Sequence, residues 1–127
     1  MTDQEKKTLL GAQQGELDAV LMYQALAKAA KAERDKTVFL TLAAEEGRHA
    51  AVFKALTNTA LAPKKRNAAL LTLLYRLIGR KRLYPLIARG EYAAARNYQP
   101  LIDRFPPIES VKNDETRHGD MVAQLLR

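Results

Sequence analysis

The chain has no cysteine and no tryptophan, no proline before Pro63, and no aspartate or glutamate between Gly47 and Gly90. Each absence excludes something. Without cysteine there is no disulfide framework, no thiolate zinc or iron–sulfur site and no redox dithiol, so any transition metal must be held by Glu, Asp and His. The longest apolar stretch, Ala68 to Ile78, is interrupted by Arg76. It is too short for a bilayer, which needs about 20 residues. The start, Met1-Thr2-Asp3-Gln4-Glu5-Lys6, is polar and lacks a basic-then-apolar signal pattern, so a cytoplasmic location is expected. At 127 residues, a single domain covering 1–127 is expected. A chain of that size buries roughly two thirds of the surface exposed by its unfolded form.

The missing prolines leave a long N-terminal stretch rich in Ala, Leu, Glu, Lys and Gln, which favours helix. The first helix is predicted to start at a Thr2-x-x-Glu5 capping box and to end near Glu33-Arg34. Asp35 would cap a second helix from Lys36 to about Thr57. Asn58 to Pro63 reads as a loop, and Asn67 to Ile78 as a short apolar helix ending at Gly79. A third long helix runs from about Lys81 or Pro85 to Tyr98. Pro100 and Pro106-Pro107 bracket the turn into a fourth, from about Ile108 to Leu126. Nothing alternates with period two, so the fold class is all-α, without a sheet.

Within this pattern lies an internal duplication. Gly15-Glu16-x6-Tyr23-Gln24 recurs 75 residues later as Gly90-Glu91-x6-Tyr98-Gln99. Each copy is followed by a charged cassette, Glu45-Glu46-Gly47-Arg48-His49 and Asp114-Glu115-Thr116-Arg117-His118. Each half thus offers one lone Glu and one Glu-x-x-His, and two of each on four helices is the donor set of a ferritin-like di-iron bundle. Residues three apart on a helix lie about 60° apart around its axis, so Glu46 with His49, and Glu115 with His118, point into one space. Glu16 and Glu46 have their midpoint at Lys31, and Glu91 and Glu115 at Asp103, each close to a predicted turn. Two antiparallel hairpins would therefore bring their carboxylates level, and the long connection between them is the single crossover of ferritin-like folds. The expected architecture is a four-helix bundle of two pseudo-repeated helical hairpins joined by a crossover segment with a short helix.

Four buried carboxylates repel one another and resist ionisation, and two divalent cations cancel that charge. Carboxylate with imidazole suits iron or manganese. The candidate metal ligands, which are also the candidate catalytic residues, are Glu16, Glu46, His49, Glu91, Glu115 and His118. Glu46 and Glu115 are assigned as bridges, with Glu16 and His49 terminal on one ion and Glu91 and His118 on the other. Tyr23 and Tyr98, seven residues beyond their glutamates, are candidate neighbours of the ligands. Glu45 and Asp114 are candidate acceptors for the outer N–H of the histidines. Four of the six glycines, Gly15, Gly47, Gly90 and Gly119, adjoin a proposed ligand, which reads as a need for space there.

The pattern resembles the rubrerythrin branch of the ferritin-like superfamily over nearly the whole chain, most closely in Leu42-Ala43-Ala44-Glu45-Glu46-Gly47-Arg48-His49-Ala50. The resemblance implies a non-haem di-iron oxidoreductase that reduces hydrogen peroxide or dioxygen, a peroxidase or ferroxidase concerned with oxidative stress and iron handling. It implies two iron ions as cofactor, with manganese as the other metal the donors suit. The alternatives are an iron storage or transfer module, a di-iron hydroxylase resembling the demethoxyubiquinone hydroxylases, and a metal-free helical interaction module. There are departures. Bacterioferritins place a haem-ligating Met where this chain has Gly47, so no haem is expected. The four-cysteine rubredoxin domain of rubrerythrins proper is missing from these 127 residues, which implies an external electron donor. Many of these proteins also carry a further Glu where this chain has Ala94, which bears on any exchange of Glu for His during turnover.

Ten Lys and Arg fall in the acid-free stretch from Gly47 to Gly90, and the net charge is +7. Lys64-Lys65-Arg66 and Arg80-Lys81-Arg82 flank the apolar helix, a layout compatible with an anionic membrane surface. Nucleic acid is not expected as a partner, because no aromatic residues interleave with the cations. Leu70, Leu71, Leu73, Leu74, Leu77 and Ile78 leave the short helix hardly any polar face. The expectation is a homodimer through Ala68 to Ile78.

Overall fold

A computed structural model describes residues 1–127 and contains only helices. In order they are α1 (Asp3–Ala29), α2 (Glu33–Thr57), α3 (Arg66–Ile78), α4 (Arg80–Tyr98), a 3-10 turn (Gln99–Leu101) and α5 (Ile108–Gln124). The all-α expectation holds. Two compact units divide the chain, Met1–Leu73 and Leu74–Arg127, with the division inside α3. Each unit contains one helical hairpin.

In the first unit α1 begins at the expected capping box. Thr2 N donates to Glu5 Oε1 at 2.8 Å, and Glu5 N donates to Thr2 Oγ1 at 3.0 Å. The turn falls earlier than the sequence predicted, since α1 stops at Ala29 and α2 starts at Glu33, with Ala32 rather than Asp35 at its cap. Asp35 instead lies in the first turn of α2 with Glu33, where negative charge is favoured by the helix dipole. Lys36 completes the turn by donating its Nζ to Ala27 O at 3.3 Å, capping a carbonyl of the last turn of α1. Leu9, Leu26, Phe39, Leu42 and Phe53 form the buried apolar core of this hairpin. Tyr23 stacks on Phe39 with ring centroids 5.9 Å apart.

α2 ends at Asn58 in the left-handed region, a conformation Asn tolerates at a helix C-terminus. The loop that follows lies against α1. Gln13 Nε2 donates to Thr59 O at 2.7 Å, Gln14 Nε2 to Ala62 O at 2.9 Å, and Lys64 N to Asp18 Oδ1 at 2.7 Å. A loop has no ladder to satisfy its backbone groups, so polar side chains of the neighbouring helix do so.

α3 buries only Ala68 and leaves Leu70, Leu73 and Leu77 half or more exposed. It ends at Gly79, whose φ of 77° is available to glycine at no steric cost. In the second unit α4 starts at Arg80, and Pro85 lies inside it on an exposed face, where the carbonyl one turn earlier can bond to water instead. Pro106 and Pro107 stop the chain before α5, as the sequence indicated. Leu83, Tyr84, Ile108, Val111, Val122 and Leu125 are the buried apolar side chains of this hairpin. Arg80 Nη2 donates to Leu125 O at 2.7 Å, tying the start of α4 to the end of α5. No helix is long and apolar enough to cross a membrane.

Candidate metal centre

Each hairpin brings its own three candidate ligands together. In the first, Glu16 comes from the middle of α1 and Glu46 and His49 from the middle of α2, one helical turn apart. His49 Nδ1 lies 3.5 Å from Glu16 Oε2 and 3.3 Å from Glu46 Oε1. In the second, Glu91 on α4 meets Glu115 and His118 on α5, with His118 Nδ1 at 3.8 Å from Glu91 Oε2 and 3.6 Å from Glu115 Oε1. Within each triad one donor atom per residue lies within 4.8 Å of the other two. Donors bonded to one first-row ion at about 2.0–2.2 Å stand roughly 3 Å apart, so both triads need only a small contraction.

All six residues are buried; the most exposed, Glu91, shows 6% of its surface. The converging atoms, one carboxylate oxygen of each glutamate and Nδ1 of each histidine, make no hydrogen bond. The residues that carry them have further interactions of their own. In both triads Nδ1 is therefore the nitrogen aimed at the carboxylates, which the sequence left open. Burial pushes the Glu16 carboxyl from its ordinary 4.5 up to about 8, with His49 opposing the rise and the charge of Glu46 adding to it. A carboxyl held protonated by its surroundings is one that a cation can recharge by displacing the proton. The donor set is hard oxygen with imidazole and contains no thiolate, which fits iron or manganese.

The surroundings of the two triads differ. Tyr23 and Tyr98 are both buried. Glu45 is also buried, with Arg48 Nη2 at 3.9 Å from its Oε2. Asp114 pairs with Arg117 at 3.0 Å, and its side chain is 36% exposed. The two residues one turn before the histidines thus occupy unlike environments.

The glycine reading is corrected at three of its four positions. A Cβ built at Gly15 or Gly90 would meet nothing within 4 Å, and one at Gly47 would meet only Val20 Cγ2 at an ordinary 3.9 Å. Local space around the ligands does not require those glycines. At Gly119 a Cβ would come within 2.7 Å of Tyr92 Cζ. The need there is for the Tyr92 ring, whose hydroxyl donates to Asp120 Oδ1 at 2.5 Å.

Sequence reasoning also missed Gln13 and Asp18, which are buried and hold the loop after α2. Gln13, three residues before Glu16, shares its helix face and could have been found by projection. Nothing in the pattern singles out Asp18.

A family model described as Rubrerythrin matches residues 7–126, nearly the whole chain. No curated protein and no solved structure matches it.

Proposed function

Since this chain belongs to the rubrerythrin family of di-iron ferritin-like proteins, we propose that it is a di-iron oxidoreductase that reduces hydrogen peroxide, and dioxygen more slowly, with electrons from an external donor. The observation that carries this reading is the convergence, in each hairpin, of a histidine Nδ1 on two buried carboxylate oxygens. Between them the two triads would offer the four carboxylates and two imidazoles that a two-ion centre requires. Glu46 and Glu115 would each be shared by both ions, with Glu16 and His49 completing one and Glu91 and His118 the other. Two irons held there would supply the two electrons by which one peroxide, with two protons, is reduced to two waters.

The chain's own contribution is charge balance, dryness and proton placement. Four carboxylates offset the charge of two divalent ions, and burial excludes bulk water from the donors. In the metal-free protein the Glu16 carboxyl, raised to about 8, would give up its proton to the solvent as an ion binds. None of these 127 residues is a thiol, so none of them can supply the electrons by thiol oxidation.

Anaerobic loading with Fe(II), followed by rapid mixing with peroxide or oxygen at equal concentration, tests the proposal. Faster oxidation by peroxide, at about two irons per chain, is the expected result. Faster reaction with oxygen and accumulation of many irons per chain would favour storage instead. The exposed leucines of α3 support the further proposal of a homodimer through Ala68 to Ile78. Light scattering reads it directly, a monomeric mass being the contrary result.

A further inference from the structure

The first unit carries an open groove of about 830 Å³ that takes no part in the ligand triad. Residues from α1, the start of α2 and the first half of α3 line it. Leu21, Leu40 and Ala68 contribute apolar lining; Lys28, Lys36 and Lys65 are also there, and no carboxylate is among the lining residues. None of Glu16, Glu46 and His49 lines the groove, and its lining on α1, from Leu21 to Lys28, begins more than one helical turn beyond Glu16. The groove is therefore separate from the proposed reaction.

Three properties define what it would hold. The volume falls within the roughly 300–1,000 Å³ of small-molecule sites, which are mostly apolar with a few polar groups that orient the ligand. The lining includes Leu40, which is 57% exposed and gains from being covered. The charge is of one sign only. Lys36 is held in place by its bond to Ala27 O at 3.3 Å, while Lys28 and Lys65 are exposed and can swing toward an anion. The nearest acids before Lys36 on α2, Glu33 and Asp35, do not line the groove. A neutral hydrocarbon would leave the ammonium groups unused, and a compact inorganic anion would leave the apolar lining wet. Charge complementarity with an apolar trough selects one ligand class, a single chain with one negative end.

We propose that this groove binds a free long-chain fatty acid, with the chain along Leu21, Leu40 and Ala68 and the carboxylate among Lys28, Lys36 and Lys65. Binding here requires no metal, so the apo and iron-loaded proteins bind alike.

The test titrates the full chain, apo and iron-loaded, with a fluorescent polyene fatty acid below its micelle concentration, then displaces the probe with palmitate or with hexadecanol. Saturable binding is expected, with palmitate displacing at least about tenfold better than the alcohol, because only the acid makes charge-assisted contacts. Lys28→Gln with Lys65→Gln should remove that preference. Leu40→Glu, at an exposed site where the fold tolerates a charge, should weaken binding with an unchanged circular dichroism spectrum. Absence of saturable binding overturns the proposal, as does equal displacement by the alcohol or full binding in Leu40→Glu. Two further outcomes overturn it by naming another occupant. One is adsorption to anionic vesicles without binding of the free acid; the other is a wild-type dimer that Leu40→Glu dissociates, which would mean that a second copy fills the groove.

Discussion

In the first hairpin His49 Nδ1 stands 3.5 and 3.3 Å from its two carboxylates, and in the second His118 Nδ1 stands 3.8 and 3.6 Å from its own. The donors match residue for residue, but their supports do not. The first hairpin is built from helices of 27 and 25 residues, stacks Tyr23 on Phe39 and buries Glu45 one turn before the histidine. The second uses helices of 19 and 17 residues and packs Gly119 against Tyr92. It also leaves the equivalent Asp114 paired with Arg117 near solvent. A duplication can keep three candidate ligand positions and a few flanking residues, such as Tyr23 and Tyr98, while the packing around them diverges. Ligand spacing is set within a helix turn and across one hairpin, whereas packing partners come from whatever lies alongside.

The sharpest way to break the equivalence is to remove ligands. Glu46→Ala or Glu115→Ala should lose both ions, from about two per chain toward none, because a shared carboxylate serves both. His49→Ala or His118→Ala should lose mainly one. Metal analysis of the purified variants reads the difference, and equal losses in all four would remove the bridging assignment.

Next in size is Gly119→Ala, which should destabilise by about 1–3 kcal/mol through overpacking against Tyr92. Gly47→Ala should instead be neutral or stabilise by up to about 1 kcal/mol, since its site is open and Ala is the better helix former. Thermal melts of the apo proteins compare them.

Another contrast concerns pH. Glu16 has its folded pKa raised from 4.5 to about 8, so the folded state binds the proton more tightly than the unfolded one. That contribution is fully present below about 4.5 and is lost as pH rises toward 8. Apo melting temperature should therefore fall across that window, the gain from added metal should grow, and Glu16→Gln should flatten the apo slope. The mildest contrast is Glu45→Gln against Asp114→Asn. If Glu45 orients His49, its loss should weaken metal affinity by about tenfold or more, with a smaller effect at the half-exposed Asp114. Competitive chelator titration decides it.

Much of this was legible in the sequence because it is local. The Thr2-x-x-Glu5 box, the Gly79 break, the Pro106-Pro107 stop and the Glu-x-x-His spacing each depend on a few neighbouring residues and a period of 3.6. The first turn was misplaced because Asp35 is the only favoured N-cap residue between Lys31 and Asp35, whereas α2 starts at Glu33 with no side-chain cap on Ala32 and the Lys36 bond to Ala27 O closes the turn. Gly119 was noticed for the wrong reason, since its partner Tyr92 comes from another helix 27 residues earlier in the chain.

By itself the sequence determined the helical class, the two hairpins and which three candidate ligand residues each would carry, because helical periodicity and turn position are carried by the order of side chains along the chain. Only the tertiary structure decided which imidazole nitrogen meets the carboxylates, that burial holds the Glu16 carboxyl at about 8, and that Glu45 is buried where Asp114 is not. It likewise decided that an apolar groove lined by three lysines opens beside α1. Rotamer, desolvation and cavity shape depend on atoms far apart in the chain, and no local pattern encodes them.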